Sequence, residues 1–546
     1  MAIQAVKTLK VHQAIAKALV DNGAQTMFGL IGEANLYMAN SFVEDFGGSY
    51  IAAAHESGAA TMALGYSLMS GKVGIATVTV GPALINTLTA LVEGVKGSVP
   101  MLLLCGDTPQ DDRDSIQKVS QREFIMATGA GFEQLRSPKT VAQDVATALR
   151  RAMTERRPIV LNMPVEMQWS EVEYQPVHYH VPDNRPVVSA GDELDKAIGI
   201  IAAAKRPIVL AGRGAISPEA KAALLKLAAR IEAPLATTLK ARGLFDGEDY
   251  NLGIFGTLSS TAAVDVIMQS DCVIAFGASL NILTTSHGTF LKGKRVVEVN
   301  LDSGDVGKNV SSDAALAGDP AGTAEIFLHW LDEAEIPASG FRNEIDRVIP
   351  LDSQLSAPVA DAHAGTVDFL QALAVLDRLL PADRVLVTDG GRFGRETWKR
   401  IKAPGPSSFV TTTNFGSIGL GLSHAVGASF AAAGRPIVLF TGDGGFMHGG
   451  LAEFNTAVRY GIKLIVILCN DGAYGAEHVH FMKREIDPRL CLFKWPDFAP
   501  LAVALGGTGF TVRSQAELEV VLESLADQQY PVLIDMKLDP DRMPAY

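Results

Sequence analysis

Short runs of apolar residues, rich in β-branched side chains, recur along the whole chain at 73–80, 100–105, 158–162, 207–211, 273–276, 295–300, 385–388, 436–441, 464–468 and 532–536, alternating with amphipathic stretches of helical length. A strand with one face in water alternates apolar with polar residues, and these runs do not. Continuous hydrophobicity over so few residues demands cover on both faces, which helices packed on a parallel sheet supply. The pattern therefore predicts an α/β chain built of doubly wound, mostly parallel sheets.

Two stretches interrupt the rhythm. Residues 174–189 hold Pro176, Pro182 and Pro186 among polar neighbours, and 337–363 are similarly rich in Pro and Asp, so both read as linkers. Three domains follow, at 1–180, 190–340 and 360–546, and 546 residues suffice for three independent cores. The first and third share a local order of strand, glycine turn, helix and strand, at Gly81-Pro82 and at Gly442-Asp443-Gly444. One such match is what any doubly wound sheet produces, so it is weak evidence of duplication.

Charge removes several functions. The 47 Lys and Arg against 60 Asp and Glu give a net charge of −13, which opposes a broad surface for nucleic acid or anionic lipid. Neither is an expected partner. No apolar run reaches the roughly 18 residues a membrane span needs, and the N-terminus shows no export signal. Cys105, Cys272, Cys469 and Cys491 lie far apart without metal-binding spacing, so they read as reduced core thiols and point to a cytoplasmic protein.

The chemistry concentrates in Thr441-Gly-Asp-Gly-Gly-Phe-Met-His-Gly-Gly450 and in Cys469-Asn470-Asp471-Gly472 at the end of the next apolar run. A carboxylate at one strand end and an amide at the next can converge on one cation. Oxygen donors with little excess charge suit Mg²⁺ that is also held by a diphosphate, and glycines let the backbone approach phosphates closely. The competing reading is an ordinary glycine-rich turn capped by Asp443.

Gly442-Asp443-Gly444, then 24 residues, then Cys469-Asn470 resembles the thiamine-diphosphate signature, in which an Asn stands where Cys469 does. The resemblance implies Asp443, Asn470 and the carbonyl of Gly472 as Mg²⁺ ligands. It also places Gly442, Gly444 and Gly445, with Thr388, Asp389 and Gly390, around the diphosphate. Ala54-His-Glu56-Ser-Gly-Ala-Ala60 resembles the family segment whose glutamate activates the cofactor. A carboxyl on N1′ of the aminopyrimidine favours the imino tautomer, whose N4′ can take the thiazolium C2 proton. Asn414-Phe-Gly416-Ser-Ile418-Gly resembles the turn whose aliphatic side chain, here Ile418, wedges between the two rings while the Gly416 carbonyl accepts from the 4′-amine.

The resemblance covers essentially the whole chain. It is to the acetolactate synthase, pyruvate oxidase, benzaldehyde lyase and 2-oxo acid decarboxylase group, with pyrimidine-binding, central and diphosphate-binding domains in that order. Because Glu56 and Asp443 fall in different domains, it implies a homodimer or homotetramer with active sites at the subunit interface. Glu33 stands where decarboxylases carry an acidic proton donor, yet their His-His pair is missing from 114–122. Gln117 resembles the active-site glutamine of acetolactate synthases and benzaldehyde lyase, with Gln121 as its competitor. Glu477, His478 and His480 are further candidates for proton transfer. In the central domain, the segment from Phe276 replaces the Arg-bearing stretch of true acetolactate synthases, so FAD is not expected and a biosynthetic acetolactate synthase is disfavoured.

The expected activity is decarboxylation of a 2-oxo acid with joining of the activated carbon to a second carbonyl compound. The rivals are cleavage of a 2-hydroxy ketone and release of a free aldehyde. A non-catalytic nucleotide-binding relative is a remoter one, opposed by Glu56. A P-loop or dinucleotide enzyme lacks its phosphate motif here.

Overall fold

The computed structural model describes residues 7–109, 111–181, 186–188, 190–349 and 365–544. Three six-stranded sheets, parallel throughout, carry helices on both faces, and a short antiparallel pair, Lys7–Lys10 with Glu171–Tyr174, closes the first unit. The expected linkers at 174–189 and 337–363 lie partly outside the described residues. So does 360–364, the expected start of the third domain.

The apolar runs form the centres of the sheets. Leu464–Asn470 is buried at every position, as continuous hydrophobicity requires. The strands that the runs did not announce are mostly edges, such as Ser49–Ala52 and Thr508–Val512. These are short and half-covered, so their sequences carry no sustained apolar signal.

The first and third sheets share one topology. Numbering the strands of each sheet in chain order, both run 2-1-3-4-6-5 across the sheet, whereas the central sheet runs 3-2-1-4-5-6. The strands stay parallel, but the direction in which successive strands are added reverses between strands 1 and 3 of the first and third sheets. A crevice opens beyond the carboxyl ends of the strands there. In the third sheet those strands are Val385–Thr388 and Ile437–Gly442. The parallel register then sets Gly442 opposite Cys469, so Asp443 and Asn470 leave neighbouring strands side by side.

The two outer domains meet through one helix from each, Glu56–Ser70 and Gly421–Ser429. Each follows strand 2 of its own sheet. A Cβ added to Gly427 would lie 1.9 Å from the Met62 carbonyl oxygen, and one added to Gly65 would lie 2.2 Å from that of His424. Glycine at both positions lets the two backbones touch. No helix among the described residues is long and apolar enough to cross a membrane.

Gly427→Val is expected to lower the thermal midpoint by about 5 °C or more, because backbone rather than a mobile side chain occupies the space. Gly199→Ala, in helix Asp192–Ala203 with nothing within 4 Å, should leave stability unchanged or raise it by up to about 1 kcal/mol. Melting curves of both variants check the pair.

Candidate active site

Beyond the carboxyl ends of strands 1, 2 and 3 of the third sheet, three turns are tied together by one buried side chain. Asp389 accepts from the Gly390 amide at 2.8 Å and the Gly419 amide at 3.0 Å. It also accepts from the hydroxyls of Thr441 at 3.1 Å and Thr412 at 3.3 Å. Burial pushes its carboxyl above the usual range, while these four donors pull the other way. Asp389 thus frames the site, its two side-chain oxygens accepting from groups on three turns. Thr388 is equally buried, its hydroxyl accepting from the Trp398 indole at 2.8 Å. Gly419, at φ +82°, turns the chain where a side chain would strike His448 and the 445–449 backbone.

Asp443 opens the helix after strand 3. One carboxylate oxygen accepts from the Gly444 amide and the other from the Gly472 amide, each at 2.8 Å, which joins the two motif segments directly. Burial drives the Asp443 carboxyl up to about 6. It drives Asp471 up to about 7, with repulsion from Asp443 adding to the effect. Asn470 is buried and donates its side-chain nitrogen to Asp535 at 2.8 Å. An ionised carboxylate only accepts, so this bond fixes the amide and leaves its oxygen without a protein donor among the described residues. Gly472, at φ +64°, accepts at its carbonyl from the Phe493 amide at 2.7 Å, so one lone pair remains for a ligand.

The donor set is oxygen throughout, with two buried carboxylates whose charge a cation would stabilise. That chemistry fits Mg²⁺. Asp443, the Asn470 oxygen and the Gly472 carbonyl are the groups that would hold it. Gly442, Gly444 and Gly445 line the same turn, and Gly390 faces the Ser417-Ile418 backbone across a gap that a Cβ would narrow to 3.2 Å. Gly416, at φ +81°, is exposed and Ile418 half-buried on the adjoining turn.

Glu56 belongs to the first domain. It is the first residue of its helix, its side chain is 15% exposed, and it accepts from Asn86 at 3.0 Å. It shares no hydrogen bond with the residues around Asp443. Glu33 is exposed on a loop held by Asn35, which accepts from the Gly32 amide and donates to Leu30 and Thr77. Gln117 is exposed, and its amide makes no hydrogen bond to any described residue, while its backbone carbonyl packs on Gly81. Gln121 is buried and fully used, accepting from Gly81 and donating to Gly106 and Asn162. Glu477 and His480 are exposed on helix Gly475–Lys483, whereas His478 is buried against Asp541 at 3.2 Å.

Sequence reasoning missed Asp535 and Asp471. The signal for Asp535 was present, since a lone carboxylate inside an apolar strand must have partners. It also missed a junction of all three domains behind the Asn414 turn. There Glu93 of the first domain accepts from the Asn414 amide and side chain, and Lys240 of the central domain donates to the Asn414 side-chain oxygen.

The comparisons with known proteins agree with this geometry. Residues 9–128 match the model of the thiamine pyrophosphate enzyme N-terminal TPP binding domain, 194–327 that of the central domain, and 389–536 that of the C-terminal TPP binding domain. The chain belongs to the thiamine pyrophosphate enzymes. Within them it is acetolactate-synthase-like. It is 27% identical to a probable acetolactate synthase large subunit of Methanocaldococcus jannaschii, over 97% of this chain and 92% of that one. To acetolactate synthase isozyme 2 large subunit of Escherichia coli it is 27% identical, over 96% and 95%. A probable 2-ketoarginine decarboxylase of Pseudomonas aeruginosa is 28% identical, over 98% and 95%.

Two predictions follow from the polar contacts. Asp535→Asn frees the Asn470 amide to turn over and should weaken Mg²⁺ binding about tenfold, read by calorimetric titration with thiamine diphosphate present. Lys240 carries a pKa lowered by burial, and by the Arg213 charge, from 10.5 to about 8. Between those values the unfolded chain holds the extra proton, so Lys240 makes wild-type stability rise with pH across that window. Below about 8 both states are protonated and the penalty is full. Lys240→Met should remove that rise, as urea midpoints measured across the same window will show.

Proposed function

We propose that this protein is a Mg²⁺- and thiamine-diphosphate-dependent enzyme that decarboxylates a 2-oxo acid and joins the resulting carbon to a second carbonyl compound. The observation that carries the cofactor reading is that Asp443 and Asn470 leave adjacent strands beside the switch point of the third sheet, with Asp443 bonded to the Gly472 amide. In this reading 1–180, 190–340 and 360–546 serve as pyrimidine-binding, central and diphosphate-binding domains.

The cofactor, when bound, supplies a nucleophilic carbon that adds to a carbonyl and takes up the charge left as carbon dioxide departs. With the cofactor bound, the Glu56 carboxyl, oriented by Asn86, would hydrogen-bond the pyrimidine ring and move a proton there. Gly416, through its carbonyl, and Ile418, through its aliphatic side chain, are the groups of this turn that would hold the cofactor's rings. In this reading Glu33 and Glu477, both exposed, are the groups that would exchange protons with substrate.

Gln117 decides for carbon–carbon bond formation in this reading. The 114–122 segment offers no histidine pair to protonate a released aldehyde, while the unengaged amide of Gln117 can orient an acceptor carbonyl. The Pseudomonas relative favours the simpler decarboxylase as a second reading.

In this reading the chain is a homodimer or homotetramer in which Glu56 of the partner subunit completes each site, because Glu56 and Asp443 belong to different domains. Exposed Phe415, Leu490 and Leu492 on the third domain support an apolar contact there. No flavin is invoked. In the central domain the amides of Gly212, Gly214 and Gly277 already bond to Phe276, Gly277 and Val299, which leaves a dinucleotide's phosphates few donors at that switch point. A cytoplasmic setting is supported by four buried, unpaired thiols.

Incubation with a panel of 2-oxo acids, with and without aldehydes, should give hydroxy ketones by mass spectrometry, and Glu56→Gln should lower their rate by about 100-fold or more. Free aldehyde as the sole product would select the decarboxylase. Identical output from wild type and Glu56→Gln would refute the role of Glu56.

A further inference from the structure

Two buried carboxylates cross between the outer domains, and they do so in the same way. Glu453, on helix Leu451–Arg459 of the third domain, reaches the first domain's turn at Ala54-His55. One oxygen accepts from both of those amides at 3.1 Å, and the other takes the Thr456 hydroxyl at 2.7 Å. Glu93, on helix Leu88–Gly97 of the first domain, reaches the third domain's turn at Asn414-Phe415. Its oxygens accept from those amides at 3.1 and 2.7 Å and from the Asn414 side chain at 2.6 Å. Both side chains are 1% exposed.

The two carboxylates are topological equivalents. Each stands on the crossover helix after strand 3 of its own sheet, and each grips the turn after strand 2 of the other. The helix contact has the same symmetry, since Gly427 meets Met62 and Gly65 meets His424, both pairs three residues apart. A carboxylate held this way is an expensive group to bury unless amides meet it, and here they do.

What the turns carry makes the arrangement more than packing. The Ala54-His55 turn delivers Glu56, and the Asn414-Phe415 turn delivers Gly416 and Ile418. We infer that Glu453 and Glu93 are reciprocal positioning residues, which set the two cofactor-facing turns of a chain from opposite domains. The inference rests on the thiamine-diphosphate reading above. Because Glu56 serves the partner's cofactor in that reading and Gly416 its own chain's, the clamp ties the two active sites of a dimer into one rigid piece. Glu453 acts on proton handling through Glu56, and Glu93 acts on how the cofactor is held.

Glu453→Gln, Glu93→Gln and Gly58→Ala, prepared as holoenzymes, test this. A Cβ at Gly58 would lie 2.0 Å from the Glu453 carboxylate, the mobile end of its side chain, so that variant displaces the clamp while leaving its charge. Three readouts are needed: thiamine diphosphate affinity, the rate of C2–H exchange of bound cofactor by NMR, and amide exchange by mass spectrometry over 50–60 and 411–419. Glu453→Gln and Gly58→Ala should slow C2–H exchange about tenfold with cofactor affinity altered less than about twofold, and should deprotect 50–60. Glu93→Gln should weaken cofactor binding about tenfold and deprotect 411–419. Unchanged C2–H exchange and unchanged protection in the first pair, or unchanged affinity in the third, overturns the positioning roles. A wild-type protein that binds no thiamine diphosphate overturns the cofactor reading instead, and the positioning roles with it, even if the amide protection follows the clamp.

Discussion

The contact between helices Glu56–Ser70 and Gly421–Ser429 is the constraint on which the site depends. Backbone meets backbone at Gly65 and Gly427, so neither helix can slide or rotate without collision. One helix begins with Glu56, and the other follows directly on the Gly416-Ile418 turn. The positions of the Glu56 turn and of the Gly416-Ile418 turn are therefore inherited from a close-packed interface. Glu453 and Glu93 tighten the same interface from either side, and Lys240 extends it into the central domain.

The sequence made the sheet interiors legible because a strand buried on both faces must be continuously apolar. Runs such as 207–211, 295–300 and 385–388 coincide with Pro207–Ala211, Arg295–Asn300 and Val385–Thr388. Edge strands were illegible for the opposite reason: Thr508–Val512 is half-covered at four of its five positions and looks like loop. At the site, Asp443 and Asn470 were visible through their spacing, and parallel register explains why that spacing matters. Glu93 and Glu453 had no local signature. Each is a charged residue on an amphipathic helix, and only tertiary structure buries it against amides more than 300 positions away.

Asp389 and Gln121 show a different limit. Both lie in segments where sequence reasoning sought ligands, and both are occupied by the protein itself. Asp389 staples three turns together, and Gln121 bridges Gly81 to Asn162. The hydrogen-bond inventory ties both to the surrounding frame, which type and position alone do not reveal. The same inventory leaves the Asn470 oxygen and the Gln117 amide without protein partners among the described residues. Chemistry at such a site belongs to the groups the frame leaves unused.

That Glu56 and Asp443 lie in different domains makes the account testable by complementation. Chains bearing Glu56→Gln and chains bearing Asp443→Asn, each inactive alone, would be co-expressed with different tags and the mixed dimer purified. If each site draws Glu56 from one subunit and Asp443 from the other, the mixed dimer holds one doubly altered site and one intact site. It should then recover about half of wild-type activity toward the preferred 2-oxo acid. A mixed dimer as inactive as its parents would place both residues in the same subunit's site and contradict the account.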